Sequence, residues 1–130
     1  MTLLSDIAAA LIAGGFATAL GTDLFPWRFP PAPLSCIVII PMSGRTPREV
    51  MGADGVDFPG VQIQVRSTIE LDAYNDAEAI RLALNGSTAG AYSIFTTRSC
   101  PSDVTSPEDL ASTDGACYRF AVDFETTLVR

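Results

Sequence analysis

Apolar and polar residues alternate along two stretches of the chain, which is typical of strands that bury one face. In residues 60–70 the positions expected to face inward are Val61, Ile63 and Val65. The polar residues between them are expected to face solvent: Gln62, Gln64 and Arg66. Residues 117–128 predict a second strand of this kind, whose inward positions are Tyr118, Phe120, Val122 and Phe124.

Two more strands are predicted from shorter signals. Residues 36–41 form the continuous apolar run CIVIIP, which is typical of a strand in the interior of a sheet. Residues 90–97, AYSIFTTR, are rich in β-branched and aromatic residues and predict a further strand.

Two helices are predicted from apolar residues at helical spacing. The first covers residues 2–13 and ends at Gly14-Gly15. The second covers residues 73–85, with a capping box between Asn75 and Glu78. Its buried face is predicted to consist of Ala77, Ile80, Ala83 and Leu84.

Three segments carry no periodic signal. Residues 21–35 contain four prolines and predict no regular structure. The apolar residues of this segment are expected to pin it to the core: Leu24, Phe25, Trp27 and Phe29. Residues 42–59 and 98–116 predict long polar loops, and loops of that length in a compact domain are often functional.

The predicted elements follow the order α-β-β-α-β-β. The chain has 130 residues, within the range of roughly 100–200 that is usual for one domain. We therefore expect a single domain over residues 1–130, of the α+β class. In it, two helices pack on one face of a four-stranded, mainly antiparallel sheet.

The charged residues exclude several kinds of chemistry. The net charge is −7, all eight basic residues are arginine, and the chain has neither lysine nor histidine. Hydrolases with a catalytic histidine, histidine-ligated zinc sites and Schiff-base lysines are therefore excluded. A strongly acidic domain is also poorly suited to gripping a nucleic-acid backbone. We expect no enzyme activity, no cofactor and no metal.

The three cysteines do not form a CxxC pair and are odd in number, so they predict neither a zinc knuckle nor a secreted disulfide framework. Cys36 is expected to be a buried thiol. Cys100 and Cys117 flank a polar segment, and a disulfide between them outside the cell would add about 3 kcal/mol of stability.

The apolar N-terminal stretch resembles a signal peptide, but no basic residue precedes it and Asp6 stands in the expected basic region. It is also shorter than the roughly 20 residues that a membrane span needs. We interpret it as a helix of a soluble domain, without membrane contact.

Charged residues of the two long loops are the candidate contacts with protein partners, including another copy of this acidic chain. They are Arg45, Arg48, Asp54 and Asp57 in the first loop, and Asp103, Glu108, Asp109 and Asp114 in the second. Two other functions stay open. One is a small carboxylate-dependent enzyme that uses Asp54, Asp57 or Asp72, and the other is a ligand-binding module with Trp27 and Phe29 in its pocket.

The order of short motifs along the whole chain carries a family resemblance. The two most informative are Gly21-Thr22-Asp23-Leu24-Phe25 and the strand Val61–Arg66, VQIQVR. With the Ala-rich helix ending in Leu84-Asn85-Gly86, they resemble the minor capsid and tail terminator proteins of long-tailed bacteriophages and gene-transfer agents.

The resemblance implies a structural role in the virion, in the tail or neck, after assembly in the host cytoplasm. Members of this family form a ring, usually of six subunits, on the completed tail tube. The implied partners are other copies of the chain, the tail tube protein and the head-side connector, with DNA passing through the lumen without specific binding. Another head–tail connector or tail-completion protein is the alternative within the same setting.

Overall fold

A computed structural model of the chain describes residues 3–29, 35–45, 56–90, 92–96, 100–110 and 116–129. Its helices are α1 (Leu3–Ala13), α2 (Glu70–Leu84) and the four-residue α3 (Pro107–Leu110). Its strands are β1 (Leu24–Pro26), β2 (Cys36–Arg45), β3 (Val56–Ser67), β4 (Thr88–Ala89), β5 (Tyr92–Thr96), β6 (Ser102–Asp103) and β7 (Tyr118–Val129). None of the helices in these ranges is both long and apolar enough to cross a membrane.

The two longest strands, β3 and β7, lie side by side at the centre of the sheet and run antiparallel. Their inward residues stand opposite one another in the ladder, as Val61 does with Phe124 and Ile63 with Val122. Each of these four side chains is at most 2% exposed. The predicted alternation of both strands is therefore confirmed on this face.

Both long helices contribute to the same hydrophobic core. Ile7 and Leu11 of α1 are fully buried. The buried residues of α2 are Ala73, Ala77, Ile80 and Leu84. This confirms three of the four positions predicted for the buried face of α2; Ala83, the fourth, is exposed.

The predicted four-stranded sheet is wrong. The sheet has seven strands among the described residues, in the order β1-β2-β3-β7-β5-β4, with β6 paired to β7 beside β5. It is a mixed, curled sheet, because β1 pairs with β2 in parallel and all other pairs are antiparallel. The strands that the prediction missed are two or three residues long, which is too short for alternation to be visible.

Residues 21–35 also contain regular structure, contrary to the prediction. The β1 strand lies at the edge of the sheet, with Leu24 opposite Ile37 and Pro26 opposite Ile39. Its bonds to β2 use the Asp23 carbonyl and the Trp27 N–H, at 2.9 Å each. A proline between these two positions is compatible with an edge strand, because its missing N–H is not needed there.

The start of α2 differs from the prediction as well. The helix begins at Glu70, five residues before Asn75, so the predicted capping box lies inside the helix. Ile69 occupies the N-cap position and forms no side-chain cap. The predicted end at Asn85-Gly86 is confirmed, since Asn85 is the C-cap and Gly86 has φ +77°.

Parts of both predicted long loops are regular structure. The β2 strand continues to Arg45 and β3 begins at Val56, while residues 46–55 lie outside the described ranges. The second segment contains β6 and α3. All three cysteines are free thiols, with Cys36 and Cys117 buried and Cys100 exposed.

Gly90, between β4 and β5, allows a close approach to α1. It has φ +59°, and a Cβ atom there would lie 2.5 Å from Asp6 Oδ2. We expect Gly90→Ala to destabilise the protein more than Gly86→Ala, which has a similar positive φ but no atom within 4 Å of the added Cβ. The backbone conformation alone costs about 1–2 kcal/mol in either variant. Urea unfolding of both variants measures the difference, and equal losses would show that the contact with Asp6 does not matter.

Candidate functional site

The candidate residues of the first loop belong to one end of the sheet. In the β2–β3 hairpin, Arg45 stands opposite Phe58, and Asp57 pairs with Leu128 of β7. The register of β2 against β3 shifts between Met42 and Arg45. A bulge of this kind bends the strand that contains it. The other two candidates of this loop, Arg48 and Asp54, lie outside the described residues.

The candidates of the second loop belong to the other end. Asp103 is an exposed residue of β6 and pairs with Phe120, near the beginning of β7. Glu108 and Asp109 lie in α3. Asp114 lies outside the described residues.

These two groups are far apart along β7. Asp57 is in register with Leu128 and Asp103 with Phe120. Eight residues of extended strand separate these positions by about 26 Å. The structure therefore brings Asp103, Glu108 and Asp109 to one end of the sheet and Arg45 and Asp57 to the other.

Asp109 is 5% exposed and forms an ion pair inside the subunit. Its Oδ1 atom lies 2.7 Å from Nη2 of Arg119, on β7. Its Oδ2 atom accepts a hydrogen bond from the Ser106 N–H at 3.0 Å, while the Asp109 N–H donates to Ser106 Oγ at 3.2 Å. This reciprocal pair is a capping box for α3, and the ion pair ties α3 to the sheet.

Burial raises the pKa of Asp109, but the hydrogen bond from the Ser106 backbone and the positive charge of Arg119 outweigh it, so the pKa of this carboxyl lies below its ordinary value. Asp109 is therefore a carboxylate at neutral pH. Asp103, by contrast, is exposed, and hydrogen bonds from Thr105 lower its pKa. The Thr105 N–H lies 2.9 Å from its Oδ1 atom.

On the face of the sheet opposite the hydrophobic core, the ring of Phe29 contacts two arginines. The guanidinium carbons of Arg66 and Arg119 lie 4.7 Å and 4.5 Å from the centre of its ring. Arg66 is only 5% exposed, so the prediction that it faces solvent is wrong. The ring covers the end of this polar face, and a cation–π contact offsets part of the cost of burying the charge.

The prediction that residues 21–35 are pinned to the core holds for some of its apolar residues. Leu24 is fully buried, and Phe29 is half-buried against the arginines. Trp27 is 58% exposed, so for this residue the prediction is wrong. The contact between Phe29 and Arg66 could not be predicted from the alternation of residues, because the two residues lie far apart in the chain.

The family motif around Asp23 has a clear local role. The Asp23 carboxylate accepts hydrogen bonds from the Thr18 N–H at 2.9 Å and the Thr18 hydroxyl at 2.6 Å. The Thr18 hydroxyl is the main cause of the lowered pKa of Asp23. The turn also contains Gly21 with φ +90°. Together these features direct the chain from α1 into β1.

A pocket of about 350 Å³ lies where β2 and β3 meet α2, and its lining includes Asp23, Cys36, Arg66, Asp72 and Asp76. Burial, followed by the nearby Asp72 charge, raises the pKa of Asp76. No three acidic or cysteine side chains in the described part of the chain are placed to hold a metal ion together. Asp72 therefore has a carboxylate neighbour in this pocket, Asp76.

The middle of the polar face is a row of hydrogen-bonded side chains. Gln64 Nε2 donates to Gln62 Oε1 at 2.7 Å, and Gln62 Nε2 donates to Asp123 Oδ1 at 2.8 Å. All three side chains are partly exposed. This row is a polar surface, as the sequence predicts for Gln62 and Gln64.

Comparison with known protein families identifies a match that covers most of the chain. The profile of a family described as bacteriophage tail terminator protein matches residues 14–130, which is nearly the whole chain. The matched range contains all the described strands together with α2 and α3, and it begins directly after the end of α1. No curated protein matches the chain.

We expect Asp109→Asn to lower the free energy of unfolding by about 1–3 kcal/mol at pH 7, because it removes a charged, buried hydrogen-bond acceptor. Because the pKa of Asp109 is lower in the folded state, its carboxylate contributes its full stabilisation at pH values above the unfolded-state pKa of about 4. This contribution is lost as the pH falls through the folded-state pKa. The variant should therefore lose less stability than the wild type between neutral pH and about pH 3. Urea unfolding across that pH range tests this.

Asp103→Asn is the matched control, since it removes an exposed carboxylate of the same segment. The interpretation fails if the two variants are equally stable, or if the pH dependence of Asp109→Asn equals that of the wild type.

Proposed function

Because the chain belongs to the bacteriophage tail terminator family, we propose that it forms a ring on the end of the completed tail tube. The family is one of structural phage tail proteins, so the chain is a virion component. In this proposal the ring stops further addition of tube subunits and offers its other side to the head-side connector. Subunits fold in the host cytoplasm and join the particle during assembly.

The observation that best supports this proposal is that the described candidate contact residues lie at two opposite ends of one sheet. A subunit in a cyclic ring uses two different surfaces, one for each neighbour. The β2–β3 pair with Arg45 and the segment of β6 and α3 with Asp103 offer two such surfaces, at positions about 26 Å apart along β7. A terminal ring also needs surfaces that contact the tail tube and the connector. In this proposal, charged residues at the two ends of the sheet contribute to these surfaces as well.

The charge of the subunit suits a channel for DNA. The net charge of −7 repels phosphate groups, and repulsion allows DNA to pass without binding to the wall. Among the described arginines, Arg66, Arg81 and Arg119 are engaged within the subunit, by a ring contact or an ion pair. They are therefore poorly placed to grip a nucleic acid.

Arg45 at the end of β2, together with Arg48, provides the test of ring formation. We expect the double variant Arg45→Glu, Arg48→Glu to prevent rings and the capping of tail tubes, because it reverses two charges at a surface that meets acidic copies of the same chain. The subunit itself should stay folded, since both residues lie at or beyond the end of β2. Negative-stain electron microscopy with purified tail tubes and a measurement of mass in solution give the result.

The matched control is Arg45→Lys, Arg48→Lys, which keeps both charges and should still form rings. Normal rings and tails from the glutamate variant would show that Arg45 and Arg48 are not part of the interface. Wild-type protein that neither forms rings nor binds tube ends would contradict the proposed function itself.

A further inference from the structure

Trp27 is an exposed aromatic residue held in an unusual conformation. It follows β1 at the edge of the sheet, and 58% of its surface is exposed. Its φ angle is +70°, and it is the central residue of a turn in which the Arg28 N–H donates to the Pro26 carbonyl at 2.8 Å. A three-residue turn with this φ is rare and strained. The Trp27 N–H also donates to the Ile39 carbonyl of β2 at 2.9 Å.

These bonds fix the backbone of Trp27 while its side chain points away from the core. Strained backbone persists where the surrounding structure enforces it, and it is concentrated at functional sites. A rigid, exposed tryptophan is also the residue type that most often dominates a protein interface. Its neighbour Arg28 is exposed and forms no ion pair with another described residue.

The same chain has an apolar groove that suits an aromatic side chain. The groove lies at the start of α2, has a volume of about 520 Å³, and is lined by Ile69, Glu70, Leu71, Tyr74 and Phe120. Ile69 and Leu71 are 55% and 65% exposed. The rings of Tyr74 and Phe120 meet edge to face, with centres 5.5 Å apart, and the carboxylate of Glu70 provides an acidic group.

We propose that Trp27 of one subunit inserts into this groove of the next subunit, with Arg28 beside Glu70. Size and chemistry match on both sides: an indole ring meets a groove with two aromatic and two aliphatic side chains, and an exposed cation meets an exposed carboxylate. Exposed apolar surface of this kind marks an interaction site. The occupant is a second copy of the chain, because this chain carries the complementary Trp27-Arg28 pair.

The inference rests on the proposed ring and specifies one of its contacts. Trp27 lies beside β2 at the β1 edge, whereas the groove adjoins β7, which is separated from β2 by β3. The two surfaces are therefore different parts of one subunit. When two subunits meet through unlike surfaces, one keeps a free Trp27 and the other keeps a free groove. Further subunits can therefore add in the same way until the ring closes.

The first test compares two leucines of α2 with almost equal exposure, Leu71 at 65% and Leu82 at 64%. Only Leu71 lines the groove. We expect Leu71→Asp to weaken self-association by about 30-fold or more, and Leu82→Asp to leave it nearly unchanged. Analytical ultracentrifugation and electron microscopy with tail tubes measure association. Trp27 is the only tryptophan, so a blue shift of its fluorescence on assembly should be lost with Leu71→Asp.

The second test exchanges charges. Arg28→Glu and Glu70→Arg should each weaken association, and the double variant should recover it, because every contact between its copies again joins opposite charges. Circular dichroism establishes that the variants are folded. Single variants that weaken association without recovery in the double variant would contradict the pairing of Arg28 with Glu70.

The third test mixes Trp27→Ala with Leu71→Asp protein. The first keeps an intact groove and the second an intact tryptophan, so a mixture should give a one-to-one complex that neither variant forms alone. Wild-type rings together with undiminished association of Leu71→Asp would overturn this contact and leave the proposed function standing. Wild-type protein that stays monomeric, even with tail tubes present, would overturn both.

Discussion

The antiparallel ladder between β3 and β7 is the constraint on which the rest of the structure depends. Both strands have 12 residues, and each buries its alternate apolar residues on the same face. Each of these side chains contributes about 1.5–3 kcal/mol when it is fully buried. A shift of the register by one residue would move this whole set to the polar face, so the pairing is strongly specified. Every other strand except β1 and β4 pairs directly with one of these two.

The polar face of the ladder is stabilised differently from the apolar face. On the polar face the ring of Phe29 packs against the guanidinium groups of Arg66 and Arg119. Arg119 in turn pairs with Asp109, so one row of contacts joins the proline-containing segment, the centre of the sheet and α3. The segments around Phe29 and α3, which show little apolar periodicity, are thus held to the sheet by cation–π contacts and an ion pair.

Long helices and strands could be predicted from the sequence, whereas very short strands could not. The strands β2, β3, β5 and β7 and both long helices are visible in the pattern of apolar residues. The strands β1, β4 and β6 are not, because pairing with a neighbour creates them over two or three residues and no local pattern records it. The apolar spacing also cannot reveal that Phe29 covers Arg66, because the two residues come from segments far apart in the chain. The family resemblance, which depends on motifs along the whole chain, is confirmed by the match over residues 14–130.

The three cysteines differ in a way that bears on how assembly can be observed. Burial raises the pKa of the Cys36 and Cys117 thiols, so these two sulfurs are protonated and shielded from reagents in the folded subunit. Cys100 is exposed, in the connection between β5 and β6. A maleimide dye added to the native protein would therefore attach at one position without any engineering. Energy transfer between donor-labelled and acceptor-labelled copies would then follow the joining of subunits in real time, on the unmodified sequence.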